Sequence, residues 1–244
     1  MLIITADDYG KTRHATDSIL KCFSKKRITS ASAMVFMEDS ERAAVLSLQK
    51  TGLEVGLHLN FTLPFNAFKI SPKLYKHQNR VVSYLTKHKL AQVIYNPFLA
   101  DSFDFLFRAQ QEEFVRLYGK SPDFINGHHH MHLCTNMLAS NIIPRGIRLR
   151  RTFTFDQGEK NYFNLLYRHI LGIWISRRFV STDSFYSIVP VQNHERLRNI
   201  INRAVKETVE IEVHPENAEE IEFLLSDQYK SLIDFTHTGC FSNL

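Results

Sequence analysis

Cysteine is scarce in this chain: Cys22, Cys134 and Cys240 are the only three in 244 residues. They are odd in number and far apart, which excludes a disulfide framework and a zinc finger. Unpaired thiols suit a reducing compartment, so a cytoplasmic location is expected. The amino terminus has no basic segment leading into a long apolar one, which agrees with that expectation. Long hydrophobic runs are also missing. The most apolar patch, 171–175, is bounded by His169, Arg177 and Arg178 and is too short to span a bilayer. There is no internal repeat and no linker that would divide the chain. The net charge is +5 and the sequence pI about 9.1. The Lys and Arg residues are scattered, apart from 25–27 and 145–151, and no nucleic-acid motif accompanies them. A basic surface follows, with neither a nucleic-acid nor a membrane partner expected.

What is present fits an enzyme of ordinary composition. Hydrophobic residues make up 44% and charged residues 23%, close to globular averages. The length suffices for one barrel-sized domain with a large core.

The most informative stretch is Met1-Leu-Ile-Ile-Thr-Ala-Asp7-Asp8-Tyr9-Gly10. Residues 2–6 have the length and β-branched content of a buried strand. Asp7 and Asp8 then fall at its carboxyl end, where α/β proteins place their chemistry. Adjacent carboxylates repel each other. A divalent cation relieves that repulsion, and one carboxylate can bind it while the other takes a proton. The alternative is a solvated turn, since Asp and Gly are turn residues.

Histidines favour the cation. In Glu54-Val-Gly-Leu-His58-Leu-Asn60, Val55, Leu57 and Leu59 alternate with Gly56, His58 and Asn60, as in a strand. Phe124-Ile-Asn-Gly-His128-His-His130-Met-His132 follows later. Read as extended backbone, it puts His128, His130 and His132 on one face. Imidazoles with one carboxylate and open water positions make a catalytic rather than a structural metal site. The run is internal and interrupted by Met131, so it is not a tag.

Strand-like and helix-like segments alternate along the chain, which predicts α/β architecture with parallel pairing. Helices are expected at 13–26, 40–50, 102–118, 160–178, 193–206 and 217–227. Strands are expected at 28–36, 54–60, through the histidine run, and at 147–153, 185–190 and 208–213. The stretch 63–97 breaks this rhythm with Pro64, Pro72 and Pro97. It reads either as a lid or as a surface excursion. As a lid, it would offer Phe61, Phe65, Phe68 and Tyr75 for stacking on sugar rings.

Ala6-Asp-Asp-Tyr-Gly10, Gly56-Leu-His-Leu-Asn60, Gly127-His-His-His-Met-His132, Gly146-Ile-Arg-Leu-Arg150 and Glu212-Val-His-Pro215 resemble, in order, the motifs of the YdjC-like carbohydrate deacetylases. That family includes the chitooligosaccharide (diacetylchitobiose) deacetylases. The resemblance runs from the first strand to about residue 215, and 1–244 reads as one such domain with a possible insert at 63–97. It implies a single-domain (β/α) barrel-like fold related to polysaccharide deacetylases. It also implies one divalent metal ion, Mg2+ or Zn2+, held by one aspartate and two histidines. By motif these are Asp8, His58 and His128. Asp7 would be the general base and His214 the acid-side histidine. Tyr9, Asn60, His130, His132 and Arg150 would bind substrate or support the ligands. Tyr9 stands where the family usually has Phe, and Asn126-Gly127 where it usually has Asp-Ser. Support for a ligand histidine from that position must then be weaker or come from elsewhere.

The implied reaction is removal of an N-acetyl group from an amino sugar or oligosaccharide. Acetate is released, with oxyanion stabilisation from the metal and from backbone N–H groups near Tyr9 and Gly10. The partner is a small carbohydrate substrate, with a possible homodimer. Two alternatives stay open. One is a metallohydrolase acting on phosphate esters. The other is a catalytically silent sugar-binding homologue, against which an intact Asp7 argues.

Overall fold

The strands are short, buried on both faces and all parallel. In the computed structural model, which describes residues 1–88, 90–155 and 158–244, six of them form one sheet. They are β1 (Leu2–Tyr9), β2 (Ser30–Ala33), β3 (Glu54–Leu59), β4 (Ile125–Gly127), β5 (Ser184–Ser187) and β6 (Val209–Val213). Their order is β4-β3-β2-β1-β6-β5. The sheet curls into an open barrel with helices outside it, which is the barrel-like α/β fold expected.

Register assigns the two faces. Thr5 pairs with Ser30 and Glu212, Ser32 with Gly56, and His58 with Asn126. Because side chains alternate along a strand, Thr5, Asp7, Ser30, Ser32, His58, Asn126, Glu210 and Glu212 share the concave face. Ile4, Ala6, Ala31, Ala33, Val55, Leu57, Ile211 and Val213 share the convex face, where they join the main apolar core. The core therefore lies between sheet and helices, and the barrel interior is polar.

The bottom of that interior is closed by the C-terminal segment. Phe241 stacks on Phe124 at 4.1 Å, and Ile3 completes the apolar plug. The N–H groups of Phe241 and Ser242 donate to the Glu54 carboxylate at 2.6 and 2.7 Å. Gly56 leaves room for the Phe124 ring, since a Cβ there would lie 2.6 Å from it. Gly56→Ala is expected to cost about 1–3 kcal/mol through overpacking. A chemical denaturation midpoint equal to wild type would contradict this.

The helices α1 (Arg13–Ser24), α2 (Ser40–Leu48), α4 (Ala100–Tyr118), α6 (Tyr162–Ser176), α7 (His194–Arg203) and α8 (Ala218–Leu225) fall where the periodicity places them. Two more complete the chain around them, the short α5 (Thr135–Ala139) and α9 (Asp227–Ile233). The 63–97 stretch carries a helix of its own, α3 (Pro72–Lys87), which packs on α4 and buries Leu74, Gln78, Val81 and Leu85. Phe61 and Phe65 are core residues, whereas Phe68 and Tyr75 are exposed. Among the described residues no helix is long and apolar enough to cross a membrane.

Two expected strands differ. The histidine run is not extended: β4 stops at Gly127, and His128–Leu133 forms a 3-10 turn. His129 and His130 there adopt left-handed backbone, with φ of 52° and 59°. The cause is loss of the neighbouring strand. β3 ends at Leu59, because the Asn60 side-chain oxygen accepts from the N–H groups of Thr62 and Leu63 and turns the chain away. Residues 128–132 then have nothing to pair with. His128, His130 and His132 consequently do not share one strand face. At 147–153 the backbone contributes only isolated bridges, from Leu149 to Ile125 and from Arg148 to Val180. A β4 of three residues offers no room for a longer ladder.

Candidate metal and catalytic site

Asp7 lies near the carboxyl end of β1 and is 2% exposed. Arg150 grips it with two N–H groups, at 2.5 and 2.9 Å. Ser32 Oγ donates to the same carboxylate at 2.7 Å and Asn126 Nδ2 at 3.2 Å. Burial alone would favour the neutral acid, but the Arg150 guanidinium outweighs it and holds the Asp7 carboxyl well below the usual carboxylate range. Asp7 is therefore a fixed, ionised carboxylate.

Asn126 orients a histidine as well. Its Nδ2 must face Asp7, because a carboxylate only accepts. Its Oδ1 then accepts from His58 Nδ1 at 2.7 Å. That fixes the proton on Nδ1 and aims Nε2 at Asp8 Oδ1, 3.3 Å away. Asn126 thus supplies, as an amide, the support that the resemblance assigns to an aspartate.

His58 Nε2 and Asp8 Oδ1 are both buried, and neither has a hydrogen-bond partner. Such an orphaned donor pair suits a divalent cation, which takes imidazole nitrogen and carboxylate oxygen. Burial disfavours charge on His58, but Asp7 and Asp8 together outweigh it and raise its pKa. Burial likewise opposes ionisation of Asp8, and His58 overrides it. His128 stands on the same cavity wall, its ring edge-on to His58 at 5.9 Å between centroids. Its Nδ1 is engaged by Thr62 Oγ1 at 2.8 Å, and burial lowers its pKa to about 3, so it is neutral. Among the described residues, no three His, Cys, Asp or Glu side chains already converge as a closed ligand cluster. The structure brings Asp8 and His58 together and sets His128 beside them.

The cavity above these groups measures about 500 Å3. His214 lines it, part-exposed, with its backbone N–H given to Glu220 at 2.6 Å. Lys11 lies on the rim and bridges Asp8 at 3.0 Å and Glu216 at 2.6 Å. The acidic segment after His214 therefore places Glu216 at the cavity, neutralised by Lys11.

The remaining expected residues scatter. His130 lines the cavity, 3.7 Å from Glu212. His132 lies behind it, fully buried, with Nε2 3.0 Å from the Arg150 carbonyl. Burial lowers its pKa to about 3, so the ring is neutral, and because a carbonyl only accepts, this nitrogen donates and steadies the Arg150 backbone. Gly127 permits that approach, since a Cβ would meet His132 at 3.1 Å. Asn60 serves its own turn and is fully buried. Tyr9 points into the core and donates its hydroxyl to the Ala43 carbonyl at 2.7 Å. The Gly10 N–H is taken by Thr16 Oγ1.

Sequence reasoning overlooked Ser32, Glu210 and Glu212. Arg150 serves three carboxylates, reaching Glu210 at 2.8 Å and Glu212 at 3.3 Å besides Asp7. The signal was available: Val209-Glu-Ile-Glu-Val213 alternates as a strand with charges on one face, and that face is interior. Burial pushes Glu212 well above the usual range. Its contribution to stability is complete below the free-glutamate pKa of about 4.3 and is lost as pH rises through the folded value. Glu212→Gln removes that loss. In chelator-treated protein, the variant should gain melting temperature over wild type above neutral pH and match it near pH 4. Parallel curves across the whole range would contradict this.

The family described as YdjC-like protein matches residues 1–235. Over 133 residues the chain is 33% identical to a chitooligosaccharide deacetylase of Proteus mirabilis, covering 54% of this chain and 50% of that one. Over 138 residues it is 29% identical to the enzyme of the same description from Serratia marcescens, covering 54% and 51%. The chain thus spans about half the length of the curated relatives it matches. Among solved structures, a candidate cellobiose-phosphate cleavage protein from Enterococcus faecalis superposes with a TM-score of 0.68 at 19% identity, covering 99% and 97%. The chitin deacetylase of Colletotrichum lindemuthianum superposes with a TM-score of 0.50 at 13% identity, covering 99% and 85%. At such identities these two likenesses speak to the fold.

Proposed function

The chain belongs to the YdjC-like family, and on that footing we propose that it removes an N-acetyl group from an amino sugar or oligosaccharide and releases acetate. The names of the matched relatives support the reading. The observation that carries it is the pairing of two differently treated carboxylates. Asp7 is held in place by Arg150, Ser32 and Asn126, while its neighbour Asp8 keeps a buried oxygen with no hydrogen-bond partner, facing His58.

Asp8, His58 and His128 would hold one divalent cation, Mg2+ or Zn2+. When bound, it supplies Lewis-acid polarisation of the acetyl carbonyl. Asp7 takes the proton from the attacking water. Arg150, Ser32 and Asn126 keep its oxygens in place while it does so. His214, on the cavity wall, gives a proton to the departing amine, which leaves poorly without one. His132 holds the Arg150 backbone, and Asn126 holds the His58 tautomer. Asn126→Leu is expected to lower cation affinity or turnover about 10–100-fold, as loss of a ligand's supporting partner does. Calorimetric affinity and turnover both equal to wild type would contradict it.

The test is a screen for acetate release from N-acetylated sugars with added magnesium, zinc, manganese or chelator. Acetate release that chelator abolishes supports the proposal. Phosphate-ester turnover without acetate release overturns it. The buried, unpaired thiols of Cys22 and Cys134 suit a cytoplasmic setting.

A further inference from the structure

Helix α6 is apolar and lies on the outside. Of its fifteen residues only Gly172 and Ile175 are buried. Tyr162 and Phe163 are 72% and 80% exposed and Ile170 58%, and Leu166, Tyr167 and Ile173 also reach solvent. A surface helix ordinarily turns charged residues outward, yet this one carries only Arg168 and His169. The apolar surface continues beyond it. A groove of about 450 Å3 runs between α6 and α5, walled by Leu138, Tyr167, Ile170, Leu171 and Trp174. Tyr167 and Leu171 also line a neighbouring hollow with the exposed Val93, from the loop after α3. Apolar surface spread over two helices and a loop marks an interaction site.

The charge around this face has one sign. Residues 55–100, 124–155 and 160–182, which build it, hold 14 of the 30 Lys and Arg and none of the 25 Asp and Glu. Along the sequence the Lys and Arg look scattered; the segregation lies in the acids. Lys160 stands just before α6, and Arg177 and Arg178 at its end. Arg178 lies 4.4 Å over the Trp174 ring, and its carbonyl accepts from the Gly146 N–H at 2.7 Å, which brings the exposed Arg145 alongside. Aromatic and aliphatic side chains rimmed by cations complement an anionic lipid surface, where rings sit at headgroup level and cations meet phosphates. A second copy fits less well, because a two-fold contact lays the patch on itself and sets cation against cation. A nucleic acid would meet the cations but leave Leu166, Ile170 and Ile173 uncovered.

We propose that the α6 face docks this protein on an anionic lipid surface. The helix lies along the interface and does not cross it. Phe163 and Ile170 enter the boundary between headgroups and acyl chains, Trp174 sits at headgroup depth, and Lys160, Arg145 and Arg177 meet lipid phosphates. None of these residues lines the cavity that holds Asp7 and Asp8, so the inference stands apart from the deacetylase reading.

Trp174 is the only tryptophan in the chain, so its emission reports on this face alone. The full chain is titrated with vesicles of phosphatidylcholine, pure or mixed with phosphatidylglycerol. At low salt the mixed vesicles should bind about tenfold tighter than the neutral ones, and high salt should remove most of that advantage. Brominated lipid in the mixed vesicles should quench Trp174. Phe163→Ser combined with Ile170→Ser should weaken binding about tenfold through lost apolar burial, with the melting temperature of wild type, since both side chains are exposed. The quenching arm uses the natural chain and decides the matter without the variant. No binding, or equal binding to the two kinds of vesicle, would overturn the proposal. So would binding that leaves Trp174 unquenched, which would assign another face. A dimer in sedimentation velocity that the two serine substitutions dissolve would give the face to a second copy instead. Duplex DNA that displaces the chain from mixed vesicles and binds the serine variant as well as wild type would give the cations to a nucleic acid.

Discussion

Arg150→Met should lower the unfolding free energy by roughly 3–5 kcal/mol, the usual cost of stranding a buried charge without its partner. The side chain is fully buried and serves Asp7, Glu210 and Glu212 at once. Without it, three buried carboxyls face one another with no counter-charge, and Asp7 loses what keeps it ionised. Burial disfavours the Arg150 cation, but its carboxylates more than compensate and raise its pKa, so the native state contains the charged form. Arg150→Lys should recover only part of the loss, because an ammonium cannot reproduce the fork that meets both Asp7 oxygens. Melting curves at neutral pH check both variants. A lysine variant as stable as wild type would show that charge alone matters here.

Acid should act through the same pair. The folded Asp7 carboxyl is held below its ordinary value. Its stabilisation is therefore present above the free-aspartate pKa of about 3.9 and is lost as pH falls toward the folded value. Wild type should lose melting temperature on acidification below about pH 4, with Arg150→Met showing a shallower loss.

Asp7→Asn should reduce acetate release by about 10^2–10^4-fold, the usual worth of a general base. It should leave calorimetric cation binding within a fewfold of wild type. Asn fills the same space and keeps an acceptor for Arg150, but it cannot take a proton. A parallel collapse of cation affinity and turnover would move Asp7 into the ligand set. Unchanged turnover would remove it from the mechanism.

Much of this was legible beforehand, for reasons particular residues make plain. The opening strand is visible because Leu2 to Ala6 is a short, mostly apolar and β-branched run that ends in two carboxylates. His58 is visible because it alternates with Val55, Leu57 and Leu59, which fill the convex face. The histidine turn was not legible as a turn. Its path depends on Asn60 ending β3, a contact between side chain and backbone that periodicity does not record. Glu210 and Glu212 were overlooked for a different reason. Charged residues alternating in a strand ordinarily face water, and only curling of the sheet turns that face inward. Arg150 read as a substrate contact or a support for the ligands, and its ion-pair partners were not visible because these carboxylates come from strands far away in sequence. Phe241 closes the barrel bottom from the end of the chain, and no local pattern marks it for that role.

The central claim is one divalent cation held jointly by Asp8, His58 and His128. Anomalous diffraction at the zinc edge, from crystals grown with zinc, addresses it directly. The account predicts a single strong peak about 2.0–2.2 Å from Asp8 oxygen and from a nitrogen of each imidazole. A peak bound elsewhere, or none between His58 Nε2 and Asp8 Oδ1, would contradict it.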